Sequence, residues 1–326
     1  MSVRAPAEPQ SPAVERRLGI LTGLVATLMW GTQFPISSEL FPRVDPYVQS
    51  PLRYAAAALL LALVVLAVEG PASLRFGGQG RRAFFVGGIG VFGGVFIVYV
   101  GVQHSRPQDA ALVVAFQPII TAIILRARGG PRIPHVTLAS ILVGLVGILF
   151  VITHGHPLAL ADGQVRWGLA LVLLGQMAWA YYTIEMTSFA GWSVLRVATL
   201  TAATGSLWMI AGMLIAWWIG LAHPSAAGVW DERWRMAYIT VGPTMLALLA
   251  WARTRSSLGA QNTALFINVV PITAFVYAIV QGYRPNGLEV LGVAIAIGAL
   301  VANNLLTRST WGPRPGADAQ PSADAA

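Results

Sequence analysis

Residues 108–122 read QDAALVVAFQPIITA, and residues 261–275 read QNTALFINVVPITAF. Both stretches begin with glutamine, carry alanine at the fourth position and proline at the eleventh, so that Pro118 and Pro271 stand 153 positions apart. Two Ala- and Leu-rich helices can look alike by composition, but that alternative does not place glutamine and proline at matched positions. The match therefore indicates an internal repeat.

A second pair of stretches lies nearer the start of each half. GILTGLVATLMWGTQ begins at Gly19 and GLALVLLGQMAWAYY begins at Gly168, so that Trp30 aligns with Trp179, 149 positions further on. A nearly constant offset over several apolar segments predicts that the chain consists of two related halves.

The composition is that of a membrane protein. Hydrophobic residues make up 56% of the chain, charged residues only 10%, and the mean hydropathy is +0.66, whereas ordinary soluble domains are roughly 25% charged. The absence of cysteine excludes disulfides and thiolate metal sites. All 21 basic residues are arginine, and no basic stretch is interleaved with aromatic residues on a polar face. We therefore expect a lipid bilayer, and not nucleic acid, as the partner of this chain.

Ten apolar stretches are long enough to cross a bilayer, which takes about 20 residues of helix. Turn and charge signals separate them. They cover residues 18–37, 47–68, 84–103, 108–125, 136–153, 167–187, 197–221, 236–252, 261–280 and 288–306. The sequence thus predicts an all-α integral membrane protein with ten transmembrane helices.

These stretches divide into five in residues 18–153 and five in residues 167–306, with disordered cytoplasmic tails predicted at 1–17 and 307–326. With the amino terminus in the cytoplasm, 14 arginines fall on the cytoplasmic side and 6 on the outside, which places both termini in the cytoplasm. Because five is odd, the second half must enter the membrane the opposite way up. Inverted repeats of this kind place a substrate site near the midplane, where the halves meet.

Several motifs in this order resemble the drug/metabolite transporter superfamily, EamA type. They are WGTQF in the first stretch, DPYVQSPLRY at the start of the second, the pattern of Ser105, Ala110, Ala111, Leu112 and Pro118, and GVAIAIGALVANNL near the end. The resemblance extends from Leu18 to Leu306 and implies ten helices in two five-helix repeats. It departs at the family's Gly-Glu-Arg turns, where residues 130–132 read Gly-Pro-Arg and residues 282–284 read Gly-Tyr-Arg.

Polar residues inside the first stretch suggest a cavity. Trp30, Gln33 and Ser37 share one helix face, and an unsatisfied amide in hydrocarbon costs several kcal/mol. Gln33 therefore faces a water-filled cavity or, alternatively, bonds to a neighbouring helix as structural glue. Trp30 could be an interfacial belt residue, but it lies deep in the stretch.

Three prolines predict breaks in membrane helices: Pro35, and the matched pair Pro118 and Pro271. Breaks at corresponding positions of two repeats point to a transporter's substrate site. Further candidates for the cavity wall are Tyr99, Phe116, Gln117, Trp179, Tyr182, Trp251 and Asn268. For Trp179 and Tyr182, packing in the core is an equally good reading.

Charged residues at membrane depth are candidates for function. Arg53 is predicted at the same outer level as Glu39 and Asp109, so an ion pair among them could hold an outer gate or serve as a static structural pair. Glu185, near the inner end of the sixth stretch, could carry protons or simply reach water.

These patterns predict a secondary transporter that exports small metabolites, such as amino acids or related amphipathic compounds, by alternating access across the bacterial inner membrane. No cofactor is expected. The His154–His156 pair lacks a third placed ligand, so no metal site is expected. The rival classes are a non-transporting receptor or scaffold, and an intramembrane enzyme, which would need a nucleophile and base at membrane depth. The sequence indicates neither the substrate nor the oligomeric state.

Overall fold

A computed structural model describes residues 12–114, 116–130, 135–152 and 167–307 of the chain. Within these ranges the protein is helical and contains no β-strand. The first half consists of α1 (Pro12–Leu40), α2 (Pro46–Val68), α3 (Gly80–Val86), π1 (Gly87–Ile97), α4 (Val98–Gln103), α5 (Pro107–Val114), α6 (Gln117–Ala127) and α7 (His135–Ile152). The second half consists of α8 (Gly168–Glu185), α9 (Val194–Trp218), α10 (Ala226–Asp231), α11 (Arg233–Ile239), π2 (Thr240–Leu246), α12 (Ala247–Phe266), α13 (Val269–Val280) and α14 (Gly287–Thr307).

The helices lie over each of the predicted apolar stretches. By length and apolar character, six described segments can cross a membrane: Ala13–Leu40, Pro46–Val68, Gly80–Gln103, Asp109–Ala127, Val194–Trp218 and Asn262–Val280. His135–Val151 and Gly287–Ala299 are shorter apolar helices. Residues 1–11 and 308–326 of the predicted tails, and the His154–His156 pair, lie outside the described residues.

Two irregular features recur at a fixed offset in the two halves. The wide turns of π1 begin at Gly87 and those of π2 at Thr240, 153 positions later. The break between α5 and α6 ends at Gln117, and the break between α12 and α13 ends at Val269, 152 positions later. The structure thus repeats the offset that the sequence shows.

Proline explains two of the three predicted breaks. Pro118 and Pro271 lie in the first turns of α6 and α13, where a missing N–H leaves no helical hydrogen bond unmade. The prediction of a break at Pro35 is wrong, because α1 continues through it to Leu40. Membrane helices tolerate an internal proline where neighbouring helices satisfy the freed backbone group. α13 packs closely on α1 one turn earlier, where a Cβ at Gly31 would lie 2.3 Å from the Cβ of Thr273.

The turn inside α12 depends on one glycine. Gly259 has φ 79° and ψ 162°, a conformation in which a Cβ would clash with the backbone. It separates the parts of α12 that match the predicted eighth and ninth stretches.

The closest helix pairs join one half of the chain to the other. α7 packs along α14, α1 along α12 and α13, α2 along α9, and π1 along α8 and α9. Glycines allow the π1–α8 contact: a Cβ at Gly90 would lie 2.4 Å from the Cβ of Tyr182, and one at Gly94 would lie 2.9 Å from the ring of Trp179. This close approach places Tyr182 and Trp179 of the second half against π1 of the first half.

Candidate solute-binding cavity

A cavity of about 60 Å³ lies where the two halves meet. Thirteen of its fourteen lining residues are buried, and Trp30 is half-buried. This volume is enough for a few water molecules, each of which needs about 10–15 Å³. The lining residues are Trp30, Gln33, Phe34, Arg53, Tyr54, Gly94, Val95, Val98, Tyr99, Val114, Gln176, Trp179, Ile267 and Val270.

Three tryptophans form an aromatic cluster beside the cavity. The ring of Trp30 lies edge-on to Trp179, with centroids 5.5 Å apart, and 4.9 Å from Trp251. The indole of Trp30 donates to the carbonyl of Pro243 at 2.8 Å, and that of Trp251 donates to the Thr183 hydroxyl at 3.3 Å. Each indole thus has its polar atom satisfied while its ring stays in apolar surroundings.

A polar group faces the same space. The hydrogen-bond network assigns the amide oxygen of Gln33 to the side that faces Arg53. This oxygen accepts from both terminal nitrogens of the guanidinium, with Nη2 at 3.0 Å, and from the Tyr99 hydroxyl at 2.9 Å. The Arg53 guanidinium lies 4.4 Å from the centroid of the Tyr99 ring and 5.5 Å from that of Tyr54. Gln33, Arg53 and Tyr99 therefore act as one hydrogen-bonded unit.

A second amide pair lies on the opposite wall. With its amide assigned from the same kind of network, Gln117 donates to Gln176 Oε1 at 2.9 Å. Gln176 lines the cavity, whereas Gln117 supports it from α6. The two glutamines connect the break after α5 to the second half of the chain.

The other predicted wall residues lie outside the cavity lining. Tyr182 packs on Trp179 at 5.0 Å and bonds to the Thr201 hydroxyl at 2.9 Å. Phe116 packs in a separate apolar cluster with Leu112, Val151 and Ala296, remote from the tryptophans. Ser37 and Asn268 are buried, and each has a side-chain oxygen without a partner among the described residues.

Sequence reasoning missed several lining residues, including Phe34, Tyr54, Gly94 and Gln176. Gln176 carried a usable signal, because it is an amide deep in an apolar stretch, as Gln33 is. The other three look like ordinary core residues, and only the convergence of α1, α2, π1 and α8 gives them a place in the wall.

The predicted outer ion pair is not formed in this structure. Asp109 is held by Arg106, through contacts of 2.7 and 2.8 Å to the two carboxylate oxygens. Glu39 lies 3.8 Å from Arg235 of the second half. No ion pair of Arg53 is formed among the described residues, and each of the two acids is paired with a different arginine.

The residues around Arg106 link the halves at this end of the bundle. Arg106 lies 3.8 Å from Glu289, which also accepts a 2.6 Å hydrogen bond from the Tyr283 hydroxyl. Burial, together with this bond to a carboxylate, raises the pKa of Tyr283 to about 12. Burial alone would lower the pKa of the Arg106 guanidinium. Its hydrogen bonds to Asp109 outweigh this effect, so that the pKa is raised.

Glu185 lies at the other end, where α1 begins. It accepts hydrogen bonds from Arg82 Nη2 at 3.0 Å, from Arg128 and from Ser188 Oγ at 3.1 Å. Two guanidinium groups favour its ionised form, an arrangement that opposes the predicted alternative of a proton carrier. Among the described residues, no three histidine, aspartate or glutamate side chains converge as a metal site would require.

Comparisons with known proteins identify the family of this chain. The EamA-like transporter family matches the chain twice, over residues 17–153 and 166–305. The chain is 27% identical to "Uncharacterized transporter YrdR" of Bacillus subtilis (strain 168) over 298 residues, which covers 89% of this chain and 92% of the relative. It is 23% identical to "Uncharacterized transporter YyaM" of the same organism over 282 residues, which covers 86% and 92%.

A solved structure described only as "Crystal structure of protein" superimposes with a TM-score of 0.67 at 21% identity, covering 90% of this chain and 99% of that one. At this identity the likeness shows the fold alone. The family match, by contrast, covers nearly the whole chain, and both curated relatives are named as transporters. The chain therefore belongs to the EamA-like transporter family of the drug/metabolite transporter superfamily, as a multi-pass membrane transporter and not an enzyme.

Proposed function

We propose that this protein is a secondary transporter that exports small amphipathic metabolites, such as amino acids or related compounds, across the bacterial inner membrane. The solute crosses through the central cavity by alternating access, with ten transmembrane helices in two inverted halves and both termini in the cytoplasm. The observation that carries this proposal is the position of the cavity. Both halves line it: Gln33 and Arg53 come from the first, Gln176 and Trp179 from the second.

The matched irregularities support a duplicated architecture. π1 and π2, and the two helix breaks, recur at the offset of 152–153 positions, and one family matches each half separately. Irregular backbone at membrane depth is tolerated where it lines a cavity or is buried in protein. Ile267, in the second break, and Val270, in the first turn of α13, belong to the cavity wall.

Ion pairs at both ends of the bundle support alternating access. Nine ion pairs connect residues within the described ranges, and seven of them join residues 12–152 to residues 167–307. At one end Arg43 contacts Asp231, and at the other Glu185 contacts Arg82. Rocking of the halves would break the pairs at one end while it keeps those at the other.

The size of the cavity also favours a rocking mechanism. About 60 Å³ accommodates a few waters but not a metabolite. A solute can therefore enter only if the halves move apart at one end. The aromatic surfaces of Trp30 and Trp179 and the amides of Gln33 and Gln176 would then meet the apolar and polar parts of an amphipathic solute.

Counterflow in proteoliposomes tests the proposal. The purified protein is reconstituted, and labelled amino acids and related metabolites are screened for exchange. A transported compound should exchange at least about 10-fold more slowly through the Gln33→Ala variant, because the amide that faces the solute is lost. Gln281→Ala, an exposed glutamine remote from the cavity, is the matched control and should retain the wild-type rate. Equal rates in both variants would refute the assignment of the cavity.

A further inference from the structure

We propose that the transported solute carries one anionic group, a carboxylate, and that Arg53 binds it. This inference rests on the proposed function and specifies the substrate class of the same cavity. It follows from the charge at Arg53, from its partners and from the chemistry of the surrounding wall.

Arg53 is a buried cation with neutral neighbours. Its exposed fraction is 0%, although it lines the cavity. Its described contacts are the Gln33 amide oxygen, the Tyr99 hydroxyl and the rings of Tyr54 and Tyr99. The Nε–H has no hydrogen-bond partner among the described residues. Buried charges are normally paired with an opposite charge, so that Arg53 lacks the partner its burial calls for.

The cavity supplies no acid for this role. None of its fourteen lining residues is aspartate or glutamate, and the nearest predicted acids are held by Arg106 and Arg235. A solute carboxylate would provide the missing negative charge. The fork of the guanidinium matches a carboxylate in a bidentate geometry. A carboxylate would bind it more strongly than the neutral Gln33 amide oxygen that both terminal nitrogens contact in this structure.

The number of charges limits the anion to a monovalent one. Arg53 is the single basic residue among the lining residues. It could neutralise only one of the two negative charges of a phosphate dianion in the cavity. A cationic solute would meet Arg53 with no acid to offset the repulsion. The remaining wall is largely apolar and aromatic, with Phe34, Val95, Val98 and Trp179. The site thus fits a monocarboxylate with an apolar or aromatic body.

A set of three probes with one body tests this inference. 3-Phenylpropionate, 3-phenylpropionamide and 3-phenylpropylamine share an aromatic ring and chain but carry a negative, neutral and positive head group at pH 7. Binding to the purified full-length protein in detergent is measured by calorimetry and by the shift in Tm. We expect the carboxylate to bind about 10-fold or more tightly than the amide, and the amine to bind most weakly.

Substitutions test whether Arg53 causes the preference for the carboxylate. Arg53→Gln should bind the carboxylate and the amide equally, whereas Arg233→Gln, an exposed arginine at a helix start, should keep the wild-type preference. If Arg53→Gln does not fold, Arg53→Lys keeps the charge and loses the fork, so it should retain a reduced preference for the carboxylate. Equal binding of the three probes, tighter binding of the amine, or no binding of the carboxylate would overturn the inference.

The same probes separate this inference from the proposed function. A carboxylate that binds through Arg53 but never exchanges across proteoliposomes would refute transport and leave the anion site standing. Exchange of neutral or cationic solutes, without a preference for the carboxylate, would refute the anion site and leave transport standing.

Discussion

Removing the charge of Glu185 should open the end of the bundle at which α1 begins. Glu185 of α8 contacts Arg82 of α3 and Arg128 beyond α6, so one carboxylate ties two first-half helices to the second half. Glu185→Gln keeps the size of the side chain and abolishes both ion pairs. The equilibrium should shift towards the conformation in which this end is open.

The magnitude follows from the exposure of the groups. The side chain of Glu185 is 12% exposed, but those of Arg82 and Arg128 are 45% and 42% exposed. Exposed pairs contribute about 0.2–1 kcal/mol each, and hydrogen bonds to charged groups about 1.5–3 kcal/mol. A loss of about 1–3 kcal/mol changes a two-state equilibrium about 5- to 150-fold.

The natural absence of cysteine makes the assay direct. Val95 lines the cavity and is 6% exposed, so Val95→Cys reports when a membrane-impermeant thiol reagent can reach it. In proteoliposomes, Glu185→Gln should raise the labelling rate about 5- to 150-fold from the side of the amino terminus. Arg82→Gln should give a smaller increase in the labelling rate. Arg81→Gln is the control and should give no increase, because Arg81 is exposed and forms no ion pair among the described residues.

Two results would refute this reasoning. Unchanged labelling of Glu185→Gln from the amino-terminal side would show that the cluster does not hold the closed state. If labelling of Glu185→Gln is unchanged but its solute transport no longer responds to a pH gradient, Glu185 would instead be a proton carrier.

Two further substitutions test the packing around the cavity. Trp30→Phe removes the hydrogen bond to the Pro243 carbonyl and should cost about 0.5–1.5 kcal/mol, seen as a lower Tm in detergent; an unchanged Tm would mean that the bond contributes nothing. Gly94→Ala places a methyl group 2.9 Å from the ring of Trp179 and should cost about 1–3 kcal/mol. Gly298→Ala, where nothing lies within 4 Å of the added carbon, is its control, and equal Tm values for the two variants would contradict the close contact.

Hydropathy and proline placement predicted the helices well because both act locally. The breaks before Gln117 and Val269 follow from Pro118 and Pro271 within the first turns. The break at Pro35 was predicted wrongly: α1 continues to Leu40, because neighbouring helices in the tertiary structure can satisfy the backbone group that a proline frees in a membrane helix.

The candidate site was only partly predictable for the same reason. Gln33 could be found because an amide deep in an apolar stretch needs a partner, and the same signal was available for Gln176. The partners of Arg53 were not predictable. Asp109 is paired with Arg106, three positions away, and Glu39 is paired with Arg235 of the other half. Which polar groups converge is decided by tertiary packing, which periodicity alone does not contain.

The central claim, that two oppositely oriented halves enclose the cavity, is tested most directly by the sidedness of two loops. Ala72 and Ala227 are exposed residues at similar places in the two halves, and each is replaced singly by cysteine in the otherwise cysteine-free chain. An impermeant maleimide added to intact cells should modify Ala227→Cys. It should modify Ala72→Cys only after the cells are permeabilised. Modification of both from the same side would contradict the inversion.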